Sequence, residues 1–190
     1  MKLYLSHATV RPWRLSDAPV MTRHANNPRV ARNLRDAFPH PYNVVDAHRF
    51  LEAVAAQHPE TFFCIAVKDE PVGGIGFTLN NDVERFSAEI GYWLSEQHWG
   101  RGIVAEALRA VTLHAMDNHG LHRLYATPYA WNNASVRVLE KAGYVFEGRL
   151  RCSVFKEGQL VDQLLFSYTS ADRAGRGQEG CGGGSVIPPD

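Results

Sequence analysis

Two clusters in this 190-residue chain carry side chains and backbone that do chemistry together. In the first, Trp99-Gly100-Arg101-Gly102-Ile103-Val104 joins an aromatic and aliphatic run, Ala88 to Leu94, to a segment with apolar residues at helical spacing. A strand, a glycine turn and a helix N-terminus therefore follow one another. Such a corner binds anions. Glycine lets backbone approach closely, the first helical N–H groups lack partners, and the helix dipole adds about half a positive charge. Arg101 adds a cation suited to a pyrophosphate. A packed strand-to-helix corner also uses a GxG turn, so the context has to discriminate. Ile103 and Val104 exclude a P-loop, which needs Lys and then Ser or Thr after the second glycine, and Ala105 breaks the GxGxxG of a dinucleotide site. In the second cluster, Asn132, Asn133 and Ser135 precede Val136, Val138, Leu139 and Ala142, and Gly143 closes the run before Tyr144. That pattern predicts a capped helix of about two to three turns between strands. Strand alternation places Glu89, Gly91 and Trp93 on one face, where Glu89 needs a polar partner or a wet cleft to stay charged.

From Glu89 to Gly148 the chain resembles the GNAT superfamily of acyl-CoA N-acyltransferases, and within it the RimJ/RimL-like branch. HWGRGIVAEAL, NNASVRVLEKAGY and EGRLR carry the resemblance. Gln97 to Gly102 fits the superfamily's Q/R-x-x-G-x-G/A literally, but a register from Trp99 to Val104 also aligns Ala105, Glu106 and Leu108 and is preferred. It leaves Trp99 and Val104 as departures from the strict motif. The resemblance implies an α+β fold, a central twisted mixed sheet of about seven strands with helices on both faces, in which the fourth and fifth strands splay. It implies acetyl-CoA as cosubstrate, no metal, and direct transfer to an amine in a ternary complex. The cofactor-binding positions it implies are Trp93, Leu94, Trp99, Gly100, Arg101, Gly102, Ile103, Val104, Asn132 and Ser135.

The same resemblance assigns catalytic roles. Many superfamily members protonate the leaving thiolate with a Tyr seven residues after the Asn; here that position is Leu139, and Ser135 is the branch's usual substitute. Capping a helix is the competing job for Asn132, Asn133 and Ser135, and the two coexist. Glu89 is the implied base, with a structural pairing to Arg85 or another cation as the alternative. Glu147 reads as structural, as do His114, His119 and His122 near the far end of the cofactor helix, while His98 reads as a solvated turn residue. Glu106 and Arg109 read as a surface pair. Cys152 has no recognisable His partner for nucleophilic catalysis.

The remaining bounds fit a small cytoplasmic enzyme, monomeric or homodimeric. The chain suits one domain over residues 1–170, large enough to bury about 70% of its unfolded surface. Ala171 to Asp190 carries six glycines and two prolines and reads as a disordered tail. Twenty basic and twenty acidic residues leave no net charge, which argues against nucleic-acid or membrane partners. Cys64, Cys152 and Cys181 suggest neither a disulfide framework nor a zinc site, and no apolar run or signal-peptide h-region marks a membrane segment. Strands are predicted at Leu3 to Trp13, Thr61 to Val67, Val72 to Leu79, Glu84 to Leu94, Arg123 to Tyr129, Tyr144 to Cys152 and Leu160 to Thr169. Helices are predicted from Ser16 or Asp17 to Ala25, from Val44 to Gln57 and from Gly102 to Asn118.

The acceptor is read from proton energetics. At pH 7 about a tenth of an α-amine is neutral against about 0.04% of a lysine, and freeing the lysine nitrogen costs about 3 kcal/mol more. A site with a weakly marked base therefore suits an α-amine, on a protein N-terminus or an amino-acid-like molecule, and the branch's ribosomal-protein targets point the same way. Trp13, Tyr42 and Phe77, with Phe38, are the acceptor-site candidates; packing in the core is their alternative role. Two other readings stand beside this one. One is an antibiotic or polyamine acetyltransferase, which acids in the acceptor pocket would favour, whereas His24, Arg29, Arg32 and Arg35 look basic. The other is a non-catalytic acyl-CoA sensor.

Overall fold

Two parallel strands that pair over only three residues create the opening around which this fold is arranged. The computed structural model describes residues 1–178. Strands β1 (Leu3–Tyr4), β2 (Thr9–Pro12), β3 (Phe62–Val67), β4 (Glu70–Leu79), β5 (Ser87–Leu94), β6 (Arg123–Ala126), β7 (Val145–Lys156) and β8 (Gln159–Thr169) form one sheet in the order β1-β2-β3-β4-β5-β6-β8-β7. Neighbours are antiparallel except β5 and β6. Those two match Ser87 to Arg123, Ala88 to Leu124 and Glu89 to Tyr125, and then part. β5 stays paired with β4 through Leu94, so the β6-facing edge of β5 beyond Glu89 borders a gap.

Helices α1 (Ala18–Ala25), α2 (Pro28–Ala31), α3 (Val44–Ala56), α4 (Ile103–His119), α5 (Asn133–Ala142) and α6 (Ser170–Gln178) flank the sheet. Along α4, Val104, Ala107, Leu108, Val111 and Ala115 recur at three- and four-residue spacing and are buried. This stripe packs with Leu139 and Ala142 of α5 against Phe63, Ile65, Phe77, Ile90 and Leu124 from the sheet. On the opposite face α1 and α3 contribute Met21, Ala25, Ala47 and Leu51 to a second cluster, with Trp13, Phe38 and Trp93 packed against it. Local signals set the helix ends. The Asn43 side chain accepts from Val45 N and Asp46 N to start α3, and Gly120 at φ 62° ends α4.

The expected first strand is two strands, which raises the count to eight. The break is a turn in which Leu5 N donates to Ala8 O (2.9 Å) and the Ser6 amide and hydroxyl both donate to Glu106 (2.8 and 2.9 Å). Glu106 is thus not the partner of Arg109, which donates instead to Lys141 O at 2.6 Å. The start of the expected tail is α6, capped by Thr169, whose amide and hydroxyl donate to Asp172, and tied to α4 by Arg173 and Asp117. Residues 179–190 of that segment lie outside the described residues. Among the described residues Cys64 and Cys152 are free, and no helix is long and apolar enough to cross a membrane.

Glu147 anchors β7 to its neighbours. Arg123 donates to it at 2.6 Å and Ser167 at 2.7 Å, and these bonds, the Arg123 one first, pull its carboxyl down to about 2. A lowered folded-state pKa stabilises the fold above the unfolded value and loses that contribution as pH falls toward 2. Glu147→Gln is therefore expected to reduce urea stability at pH 7 by about 1 kcal/mol, the scale of a half-exposed pair. The gap to the parent chain should close between pH 4.5 and about 2, and a gap that persists at pH 2 would refute the assignment.

Candidate active site

The N-terminus of α4 has the geometry of an anion cradle. After β5 the chain makes a short 3-10 turn (Glu96–His98), and then Gly100 and Gly102 both adopt φ 77°, a region L side chains rarely enter. No side chain caps α4, so the N–H groups of its first turn point into the loop without a helical acceptor. Trp99 closes the corner by donating from Nε1 to Leu94 O at 2.8 Å, and the Arg29 guanidinium lies 5.4 Å from its ring while pairing with Glu96. The expected solvated role of His98 is not what the fold provides. Its Nδ1 is buried with no partner among the described residues, and burial, then Arg101 and His24, lower its pKa and favour the neutral ring.

Across the gap stands α5. Asn132 caps it by accepting from Ser135 N at 3.1 Å, which leaves the Ser135 hydroxyl free for another partner. That partner is Tyr92, whose phenol lies 2.7 Å from Ser135 Oγ. Burial raises the Tyr92 pKa well above the ordinary phenol value, so the group stays protonated and keeps a proton with which it can donate to the serine hydroxyl. Sequence reasoning gave Tyr92 no role, because alternation puts it on the core side of β5; the one available signal was that a buried phenol needs a hydrogen-bond partner. Leu139, where the family resemblance implies a proton-donating Tyr, is wholly buried in the core below α5 and does not line the cleft.

Glu89 sits where β5 and β6 part. Arg35 Nη2 donates to both of its oxygens (2.6 and 2.7 Å) and Thr127 Oγ1 donates to one at 3.0 Å. Its cation is thus Arg35, not Arg85, which instead bonds Asp82 O and lies over Phe86. The expected basic patch is likewise consumed in pairs: His24 with Glu70, Arg29 with Glu96, Arg32 with Glu157 and Arg35 with Glu89.

One cleft of about 900 Å³ collects these parts. Trp93, Leu94 and Trp99 to Val104 line it, as do Asn132, Ser135 and Glu89, and so do Trp13, Tyr42 and Phe38. Phe77 does not. Its ring is buried on the α4 face, packed at 5.0 Å against His119, so it belongs to the core and not to an acceptor site. His114 and His122 pack edge-on to Phe63 and Phe86 in the same structural manner. Among the described residues no group of His, Cys, Asp and Glu is arranged to hold a metal. The arrangement offers an anion cradle, a strand edge with free backbone groups, a hydroxyl backed by a buried phenol, and a carboxylate at the mouth.

Comparison with known proteins is consistent with that inventory. The family described as "Acetyltransferase (GNAT) domain" matches residues 7–145. The uncharacterized N-acetyltransferase p20 of Bacillus licheniformis is 30% identical over 176 residues, covering 91% of this chain and 98% of that protein. The ribosomal-protein-serine acetyltransferase of Escherichia coli (strain K12) is 33% identical over 105 residues, 55% of this chain and 58% of that protein. Among solved structures, Mycobacterium smegmatis RimJ in complex with CoA-disulfide superposes with a TM-score of 0.75 at 26% identity, over 87% of this chain and 83% of that one.

Proposed function

We propose that this chain, which belongs to the GNAT acetyltransferase family, moves an acetyl group from acetyl-CoA to an α-amine by direct transfer in a ternary complex. The observation that carries this reading is the Ser135 hydroxyl, held 2.7 Å from a buried, protonated Tyr92 and opening on the same cleft as the uncapped α4 loop. The loop from Trp99 to Val104 holds the pyrophosphate through its N–H groups and Arg101. The free edge of β5 near Trp93 and Leu94 receives the amides of the pantetheine arm, making the backbone hydrogen bonds that the parallel strand β6 supplies only as far as Glu89.

In the reaction the neutral amine attacks the thioester carbonyl, the C–N bond forms, the C–S bond breaks, the nitrogen loses a proton and the sulfur gains one. Ser135 gives its proton to the sulfur, Tyr92 supports that by donating to Oγ, and the serine is reprotonated from solvent, which takes up the proton held by Glu89, once the products leave. Glu89 draws the amine to the mouth of the cleft and takes its proton; the Arg35 and Thr127 bonds fix the carboxylate in place.

The α-amine is favoured because its proton is lost easily near neutral pH. A ribosomal-protein-serine acetyltransferase among the relatives supports a protein as the acceptor. The test is thiol release from acetyl-CoA with peptides carrying a free N-terminus, the same peptides N-blocked with an internal lysine, and polyamines. Free N-termini are expected to react, with kcat/KM rising with pH and levelling near about 8, the α-amine pKa. Transfer to lysine or polyamine alone would overturn the α-amine reading, and acetyl-CoA binding without any thiol release would replace it with a sensor.

A further inference from the structure

We infer that the acceptor carries a large aromatic or aliphatic side chain next to its amine, seated on the bare sheet floor at Gly91; this rests on the transfer to an α-amine proposed above. On the sheet face toward α1 and α3, β4 and β5 pair Gly74 with Trp93 and Gly76 with Gly91. Three glycines in one patch remove the side chains that normally cover a sheet. Two of the three places are filled from within. A Cβ on Gly74 would lie 2.7 Å from Trp93 Nε1 and 3.2 Å from Trp13 Cζ2, and one on Gly76 would strike the Phe62 ring. At Gly91 a Cβ would meet nothing within 4 Å. The third seat is open to the cleft.

Its surroundings select the guest. Along β5, Glu89 and Trp93 flank Gly91 on the same face, each about 7 Å away at the rise of a strand. A single residue spans the interval between an amine at Glu89 and a side chain over Gly91. The walls are aromatic: Phe38 lies 5.7 Å from the Trp93 ring and stacks on Tyr42 at 4.8 Å. The charges nearby cancel, since Arg35 pairs with Glu89 and Arg49 with Asp46. Among the described residues no carboxylate lining the cleft is spare to hold a second cation, which disfavours a polyamine, while an aromatic or branched side chain buries its surface against rings at little polar cost.

The experiment compares kcat/KM for peptides that differ only in their first residue: Gly, Ala, Ser, Leu, Phe and Trp. Phe and Trp are expected to exceed Ala by about tenfold or more. In Gly91→Val, whose added atoms enter the open seat, that preference should fall to about parity, mainly through KM for the aromatic peptides. Phe38→Ala should lower the same preference by removing one wall, and titration with acetyl-CoA verifies that each variant retains its fold. Equal rates for Ala and Phe in the parent chain, or a Gly91→Val loss shared alike by Ala and Phe, would overturn the inference while leaving α-amine transfer intact. Turnover of lysine or polyamine alone would overturn both.

Discussion

Replacing Ser135 by alanine is expected to lower kcat by about 10²- to 10⁴-fold while acetyl-CoA affinity stays within about twofold, the signature of a group used in the transition state and not in ground-state binding. The substitution isolates the hydroxyl because the helix cap does not depend on it. Asn132 accepts from the Ser135 amide, not from its side chain, so α5 keeps its N-terminus in the variant. What disappears is a hydroxyl that opens on the cleft with the buried Tyr92 phenol 2.7 Å behind it. Tyr92→Phe should cost less than Ser135→Ala, since the serine keeps its proton and loses only the group that orients it. Single-turnover thiol release separates the chemical step from product release. An unchanged rate in Ser135→Ala would remove serine as the acid, and equal losses in Ser135→Ala and Tyr92→Phe, with melting temperatures unchanged, would instead point to the phenol as the donor.

Asp17→Ala should destabilise the fold by about 3–5 kcal/mol, the cost of stranding one member of a buried ion pair. Arg11 is 2% and Asp17 7% exposed at the side chain, and the guanidinium grips the carboxylate with two bonds at 2.8 and 3.0 Å. Arg11 also donates to Pro12 O, to Asp69 O and, through Nε, to the Asp69 carboxylate at 3.1 Å. Asp17 in turn accepts from Arg14 N, which sets the turn into α1. One pair thereby joins β2, the β3–β4 turn and α1. Beside it, burial pushes the Cys64 thiol up to about 12, so the thiol is neutral and supplies no replacement charge. For a chain of this length the loss corresponds to a melting temperature lower by about 10 °C. Urea unfolding measures it directly. The double variant Arg11→Met, Asp17→Leu should recover most of the loss, because apolar residues of similar size need no counter-charge. A loss below about 1 kcal/mol in Asp17→Ala would show that water reaches the pair.

The parts of this protein that were legible from the chain are those whose physics is local. Gly100 and Gly102 mark a loop that turns through positive φ, Asn132 and Gly143 mark the two ends of α5, and the spacing of Val104, Leu108, Val111 and Ala115 marks the buried side of α4. Each is decided within a few residues by steric limits or by unpaired N–H and C=O groups, so the residues themselves determine it. The anion loop, the capped helix with Ser135, and the carboxylate on β5 follow from that level.

Tertiary structure decided everything that needed a partner far along the chain. Tyr92 meets Ser135 across 43 positions, and Arg35 reaches Glu89 across 54. Glu106 and Arg109, at a spacing that favours pairing on an isolated helix, found Ser6 and Lys141 O instead. The side of the sheet that Phe77 faces is hidden for a related reason. β4 is covered on both faces from Pro71 to Phe77, so its residues form a continuous apolar run with no alternation to reveal which side faces the cleft. The packing of α4 on one face and of α1 and α3 on the other settles that phase. It turns Phe77 into the core and leaves Gly91 as open floor beside the reacting groups.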